Sequence, residues 1–280
     1  MSTPDVVTTI SALRARVAPW RTAGEHVGLV PTMGALHEGH VALVQETRKR
    51  CDKTVVSIFV NPAQFAPHED FDRYPRTLEA DLGRLGRRAD LVFAPSVAEM
   101  YPQGFSTRIE VGGPALGLET DFRPHFFAGV ATVVAKLLVA ALPDIAMFGE
   151  KDYQQLLVIR RLVRDLALPI EIVGGAIVRE ADGLAMSSRN AYLSPRERTV
   201  AGALNLALKN LVARVRSGEN IAAAETAGAT DLVNAGFDAV DYLVVRDADT
   251  LGPFTSSSGA ARVLAAARIG KTRLIDNMAV

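Results

Sequence analysis

The 280-residue sequence has one cysteine, Cys51, and no surplus of either charge, with 31 Lys+Arg against 31 Asp+Glu. A single thiol excludes an internal disulfide and a multi-thiolate zinc site. A net charge of zero lacks the electrostatic footprint of a nucleic-acid binder, so no nucleic-acid partner is expected. It leaves room for an anionic small molecule, because a local cluster of Arg and Lys can sit on a neutral protein. Long apolar runs are also missing. The most apolar stretch, 130–148, is interrupted by Lys136, Pro143 and Asp144, which suits a buried helix followed by a strand better than a membrane span. Residues 1–10 carry Asp5 and no basic stretch ahead of an apolar run, so no export leader is expected. These absences predict a cytoplasmic protein with no membrane partner. What is present is a chain 49% hydrophobic, enough to bury a substantial core and incompatible with wholesale disorder.

The first two-thirds alternates short β-branched runs with helical patterns. Strands are expected at 27–30, 54–60, 90–94, 145–148 and 170–178, and helices at 39–51, 78–88, 127–141 and 154–166. Consecutive apolar positions such as Val55, Val56, Ile58, Phe59 and Val60 fit strands covered on both faces. The fold class predicted is therefore α/β, a doubly wound, Rossmann-like parallel sheet with ligands at the carboxyl ends of its strands. After about Arg189 the character changes. Ala- and Leu-rich helices at 195–216 and 221–235 precede strands at 237–245 and 262–269, which predicts a smaller α+β C-terminal domain. The division expected is 1–182 and 183–280, with a serine-rich surface loop at 253–259.

Four segments concentrate chemistry. The first runs from strand to helix through Met33, Gly34, Ala35, Leu36, His37, Glu38, Gly39 and His40. Its glycines permit close backbone approach, and the following helix offers unpaired N–H groups to phosphate oxygens. The spacing mimics a P-loop, but His40 stands where the lysine belongs and Val41 where the Mg²⁺-binding hydroxyl belongs. No G-x-G-x-x-G or HExxH pattern occurs. Two histidines three apart in this setting suit a nucleotide phosphate chain, the plainer alternatives being a helix cap or a metal. The second segment places Asn61 and Gln64 just past a strand end, followed by Glu69, Asp70 and Tyr74; amides there can fix hydroxyl and carboxylate groups of a small substrate. The third holds Gly149, Glu150, Lys151 and Asp152, with Gly149 for a tight turn, Lys151 as a point charge for phosphate, and Gln155 facing inward one turn later. The fourth, Val178 through Met186, Ser187, Ser188 and Arg189, reads as a phosphate-gripping loop, or as a cap on the next helix.

Together these residues resemble the pantothenate synthetase (pantoate–β-alanine ligase) family, over about 28–193. The glycine-framed histidine pair also resembles the signature shared by nucleotidylyltransferases and class I aminoacyl-tRNA synthetases, and 186–189 resembles that superfamily's second, mobile phosphate loop. The resemblance implies adenylation of pantoate by ATP, then displacement of AMP by the amine of β-alanine. It implies ATP contacts from 33–40, 149–152, Val178 and 186–189, and catalytic roles for His40, His37 and Lys151. Gln64 and Gln155 would hold pantoate, with Asn61 and Arg123 beside them. Mg²⁺ and a homodimer are implied too, with Asp81 a weak candidate metal ligand. One departure stands out. Where the family reads Arg-Pro-Gly-His-Phe, this chain has Arg123, Pro124, His125, Phe126 and Phe127. Two other readings remain open, a nucleotidylyltransferase and a catalytically silent nucleotide-binding module. A class I synthetase is disfavoured by the short chain and neutral charge.

Overall fold

The computed structural model describes residues 3–66, 69, 71–255 and 259–280. Asp70 and the three serines of the expected loop, Ser256, Ser257 and Ser258, lie outside the described residues. The chain forms two compact units, one of residues 1–150 and 158–176, the other of 151–157 and 177–280.

The first unit contains β1 (Asp5–Val7), α1 (Ile10–Thr22), β2 (Val27–Thr32), α2 (Glu38–Arg48), β3 (Lys53–Ile58) and α3 (Leu78–Leu85). It continues through β4 (Leu91–Phe93), α4 (Val97–Met100), α5 (Glu119–Phe122), α6 (Phe126–Ala141), β5 (Ile145–Gly149), α7 (Tyr153–Asp165), whose first turn belongs to the second unit, and β6 (Glu171–Gly175). The sheet order is β1-β4-β3-β2-β5-β6, every pair parallel. Strand runs without alternation are those the doubly covered sheet needs: Val30, Val55, Val56 and Val92 are fully buried. Each such side chain contributes about 1.5–3 kcal/mol relative to exposure. The winding moves outward from β2 to β3 and β4, then returns through α6 to β5 on the other side of β2. This reversal makes the carboxyl ends of β2 and β5 the expected ligand crevice.

The second unit contains α8 (Pro195–Ala201), α9 (Ala203–Arg216), α10 (Ile221–Ala235) and the antiparallel sheet β7 (Ala239–Asp247), β8 (Ala261–Ile269), β9 (Thr272–Ala279). Leu204, Leu208 and Leu211 of α9 pack with Val263, Ala265 and Ala267 of β8 and Leu243 of β7 in one apolar cluster. The expected helix 195–216 is two helices meeting at Gly202, where a Cβ would stand 2.9 Å from the Asp182 carboxylate. The expected helix 78–88 stops at Leu85, because Gly86 takes φ +50 and a 3₁₀ turn follows. Five elements carry no matching expectation: β1, α1 with Pro19 inside it, the short helices α4 and α5, and β9, whose run is interrupted by Asp276 and Asn277.

Candidate active site

The loop after β2 is built on left-handed backbone. Gly34 has φ +83 and Ala35 φ +50, the second a conformation disfavoured for any residue with a Cβ. A buried carboxylate holds it there. Asp81, 2% exposed, accepts from the N–H of Ala35 at 3.0 Å and of Leu36 at 2.8 Å, and from the Thr77 hydroxyl at 3.3 Å. From the strand side, Thr32 Oγ1 accepts from Gly34 N–H at 3.2 Å and donates to the Ser57 carbonyl at 2.8 Å. The carboxylate expected as a weak candidate metal ligand is thus engaged by backbone donors of the glycine loop.

The histidine pair then opens α2. His37 is the N-cap, and its Nδ1 accepts from Gly39 N–H at 3.2 Å. His40 Nδ1 accepts in return from His37 N–H at 3.3 Å, and the rings lie 4.1 Å apart between centroids. With both Nδ1 atoms accepting, the proton of each neutral ring sits on Nε2. The pair therefore caps the helix, and each ring carries its Nε2–H at the positive end of the helix dipole. The Glu38 side chain pairs with Arg84 at 3.0 Å. Met33 and Gly34 also border a cavity of about 330 Å³ with Ile58, Phe59, Val60 and Asp81.

The amide segment after β3 is internally saturated. Asn61 is 1% exposed. Its Oδ1 accepts from Ala63 N–H at 3.2 Å and from the Tyr101 hydroxyl at 2.7 Å. Its Nδ2 donates to the Gly129 carbonyl at 3.2 Å and to Gln64 Oε1 at 3.1 Å. Ala63 N–H only donates and the Gly129 carbonyl only accepts, so they fix which way the Asn61 amide points. That in turn leaves Gln64 Nε2 toward Met33 Sδ, a weak acceptor 3.0 Å away. Gln64 thereby offers donors, the right polarity for carboxylate or hydroxyl oxygens. Burial pushes the Tyr101 phenol up to about 12, against the pull of its bond to Asn61, so it stays a donor at working pH.

Arg123, expected at the substrate, is engaged within the protein. It grips Glu69 through Nε at 2.6 Å and Nη2 at 2.7 Å, donates to the Gln64 carbonyl at 3.1 Å, and lies 3.9 Å from the Phe126 ring centroid. Burial raises the Glu69 carboxyl, but the Arg123 bonds outweigh it and hold the group below its usual range. Phe126, standing where the family has histidine, thus stacks under the arginine, and His125 lies close enough to Glu69 to favour its ionised form. Gly129 is a residue that sequence reading missed. A Cβ there would fall against the Ala63 carbonyl oxygen, 2.5 Å from the Ala63 carbonyl carbon and 2.8 Å from Gln64 N. Its signal in the sequence is a glycine inside an otherwise apolar helix.

Gly149 ends β5 in register with Gly175, so the tight turn expected there falls instead on the 3₁₀ turn Glu150–Asp152. Gln155 is half-buried, whereas its neighbour Gln154 is the buried one, at 4%. Lys151 Nζ stands 4.0 Å from Asp152, and its carbonyl accepts from Asn277 Nδ2 at 2.9 Å. Val178 accepts from Met186 N–H at 3.0 Å, closing a hairpin, and Ser187 Oγ accepts from Arg189 N–H at 3.3 Å. Ser188 opens the 3₁₀ turn Ser188–Tyr192. Among the described residues no group of three or more His, Cys, Asp or Glu is placed to hold a metal. No helix among them is long and apolar enough to cross a membrane.

A family model described as pantoate-beta-alanine ligase matches residues 5–279. A pantothenate synthetase of Mesorhizobium japonicum is 56% identical, covering 100% of this chain and 99% of the relative. One from Bradyrhizobium is 57% identical, with 99% of each covered. The crystal structure of pantothenate synthetase from Thermus thermophilus superposes with a TM-score of 0.92 at 49% identity, covering 98% of each chain. A pantoate-beta-alanine ligase from Francisella tularensis, complexed with beta-gamma ATP and beta-alanine, has a TM-score of 0.82 at 31% identity, covering 99% of this chain and 97% of its own. A glycine loop, a histidine-capped helix and an oriented glutamine thus stand in a chain matched end to end, and the chain belongs to the pantoate–β-alanine ligase family.

Proposed function

We propose that this enzyme condenses (R)-pantoate with β-alanine by ATP-dependent ligation, through a pantoyl-adenylate intermediate. A carboxylate is a poor electrophile toward amines. Its oxygen therefore attacks the α-phosphorus of ATP, the α–β phosphoanhydride bond breaks, and pyrophosphate leaves with the electron pair. The β-alanine amine then attacks the acyl carbon, AMP leaves, and the amine gives up a proton as the amide forms.

The observation that carries this reading is the reciprocal cap of His37 and His40. It fixes two Nε2–H donors at a helix N-terminus, where negative charge accumulating on phosphate is stabilised without reorganisation. In this reading His40 acts as donor and electrostatic partner, because pyrophosphate is a leaving group of low basicity. The backbone of Met33, Gly34, Ala35, Leu36, Glu38 and Gly39 approaches the phosphates. Gly149, Glu150, Lys151, Asp152 and Val178 contribute to nucleotide binding, with Lys151 a point charge, and Ser187, Ser188 and Arg189 grip the chain beside Met186. Gln64 and Gln155 hold pantoate, while Asn61 and Arg123 act from behind Gln64. The Francisella relative's ligands support ATP and β-alanine as substrates here.

Mg²⁺ fits as a passenger on the triphosphate, since it keeps waters and binds substrate phosphates readily and Asp81 is engaged elsewhere. When bound it would neutralise phosphate charge. The family resemblance supports a homodimer, the single cysteine and lack of apolar runs support a cytoplasmic location, and the change to α+β character supports a functional division near 182.

The test is incubation with ATP, Mg²⁺, pantoate and β-alanine, following AMP and the amide. AMP release that requires both organic substrates is expected. Pyrophosphate without amide would indicate a nucleotidylyltransferase, and absence of turnover a silent binding module.

A further inference from the structure

The last strand of the second unit carries two consecutive polar residues, Asp276 and Asn277, each 2% exposed. Neighbouring residues of a strand face opposite sides, so a buried pair of this kind serves two different surfaces. Asp276 takes a bidentate grip from Arg179, Nη1 at 2.6 Å and Nη2 at 3.0 Å. The same guanidinium donates to the Gly183 carbonyl at 3.0 Å and to the Asn277 carbonyl at 3.2 Å. Arg179 lies in the hairpin that Arg179 and Ala185 bridge, and Met186 continues directly from it. Asn190 fastens the far end of the 186–189 loop, donating to the Ala185 carbonyl at 3.1 Å and to Glu180 at 2.8 Å. In the other direction, Asn277 Nδ2 donates to the Lys151 carbonyl at 2.9 Å. Asn277 N–H also donates to Asp276 Oδ1 at 2.7 Å, so the two anchor points are joined to each other.

A buried ion pair is a poor way to gain stability, since well-packed apolar residues in its place are often equally good. What it supplies here is fixed geometry. We infer that Asp276 and Asn277 are positioning residues for ATP: through one strand they hold the Lys151 backbone and the root of the 186–189 loop in a set relation. This rests on the reading that Lys151 and that loop take the phosphates of ATP. Neither residue touches the substrate in this account. Their loss therefore acts on ATP and spares pantoate and β-alanine.

The experiment is Asn277→Ala, measured alone and in a Lys151→Ala background, with KM for each substrate and the thermal midpoint. Loss of one hydrogen bond to the Lys151 carbonyl is expected to raise the ATP KM about fivefold. KM for pantoate and β-alanine stays within about twofold of the parent, the spread expected for an uncoupled site. Without the Lys151 side chain, its backbone placement no longer matters, so Asn277→Ala adds no further change in that background. Asn277→Ser, too short to reach the carbonyl, is the second variant and is expected to behave like Asn277→Ala. A lowered midpoint with an unchanged ATP KM, or effects that multiply in the double variant, overturns the proposal. Damage from Asn277→Ala beside a silent Lys151→Ala would instead remove Lys151 from the ATP site, and the proposal with it. A silent Asn277→Ala beside a damaging Lys151→Ala refutes the positioning role alone.

Discussion

Asp81→Asn isolates the carboxylate that holds the glycine loop. In the parent its oxygens accept from Ala35 N–H, Leu36 N–H and the Thr77 hydroxyl, all at 2.8–3.3 Å, at a site 2% exposed. An amide of the same shape keeps one oxygen and turns its NH₂ toward the other backbone donor. One charge-assisted bond is lost, worth about 1.5–3 kcal/mol net. Part returns as Ala35 leaves its left-handed conformation, which costs about 1–2 kcal/mol. The net expectation is destabilisation by about 1 kcal/mol, mostly local, because the adjoining cavity gives the freed loop room to move. A loop ordered only part of the time binds ATP more weakly in proportion, so the ATP KM should rise by up to about fivefold. Urea unfolding with an unchanged m-value and steady-state kinetics measure both. A stability change below about 0.5 kcal/mol with unaltered ATP KM would refute the loop-holding role. A change confined to Mg²⁺ dependence would return Asp81 to the metal.

Gly129→Ala forces a methyl against the backbone of Ala63 and Gln64, which cannot rotate away; an overpacking loss of about 1–3 kcal/mol is expected, with kcat/KM for pantoate falling more than for ATP. Equal effects on both substrates would separate Gly129 from Gln64. Tyr101→Phe removes one of the two donors to Asn61 Oδ1, a loss of about 1 kcal/mol in chemical denaturation, and should raise the pantoate KM with little change for ATP. Cys51 is raised to about 11, by burial first and then by Asp144 and Asp52, so its thiol stays protonated and slow toward iodoacetamide at neutral pH. The rate should climb tenfold per pH unit from pH 7 to 9; rapid labelling at pH 7 would contradict the burial.

The parallel-sheet unit was legible because its signal is local. Unbroken β-branched runs followed by helical periodicity identify covered strands whatever their neighbours, and 27–30, 54–60 and 145–148 fall within one or two residues of β2, β3 and β5. Helix ends were less so: Gly86 stops one expected helix through a positive φ, which no periodicity encodes, and the expected helix 195–216 divides at Gly202. β9 has no apolar signature, because Asp276 and Asn277 give a buried strand the composition of a surface one.

The α/β class, the glycine-framed histidines and the chemistry they suit follow from residue type and short-range spacing, and the amino-acid order is enough to read them. What each polar group is committed to depends on contacts made across the fold. Asp81 meets Ala35 across 46 positions, Arg123 meets Glu69 across 54, Asn61 meets Gly129 across 68, and Asn277 meets Lys151 across 126. A side chain's role follows from which donors and acceptors its neighbours leave unsatisfied, and at those separations the fold alone supplies the neighbours.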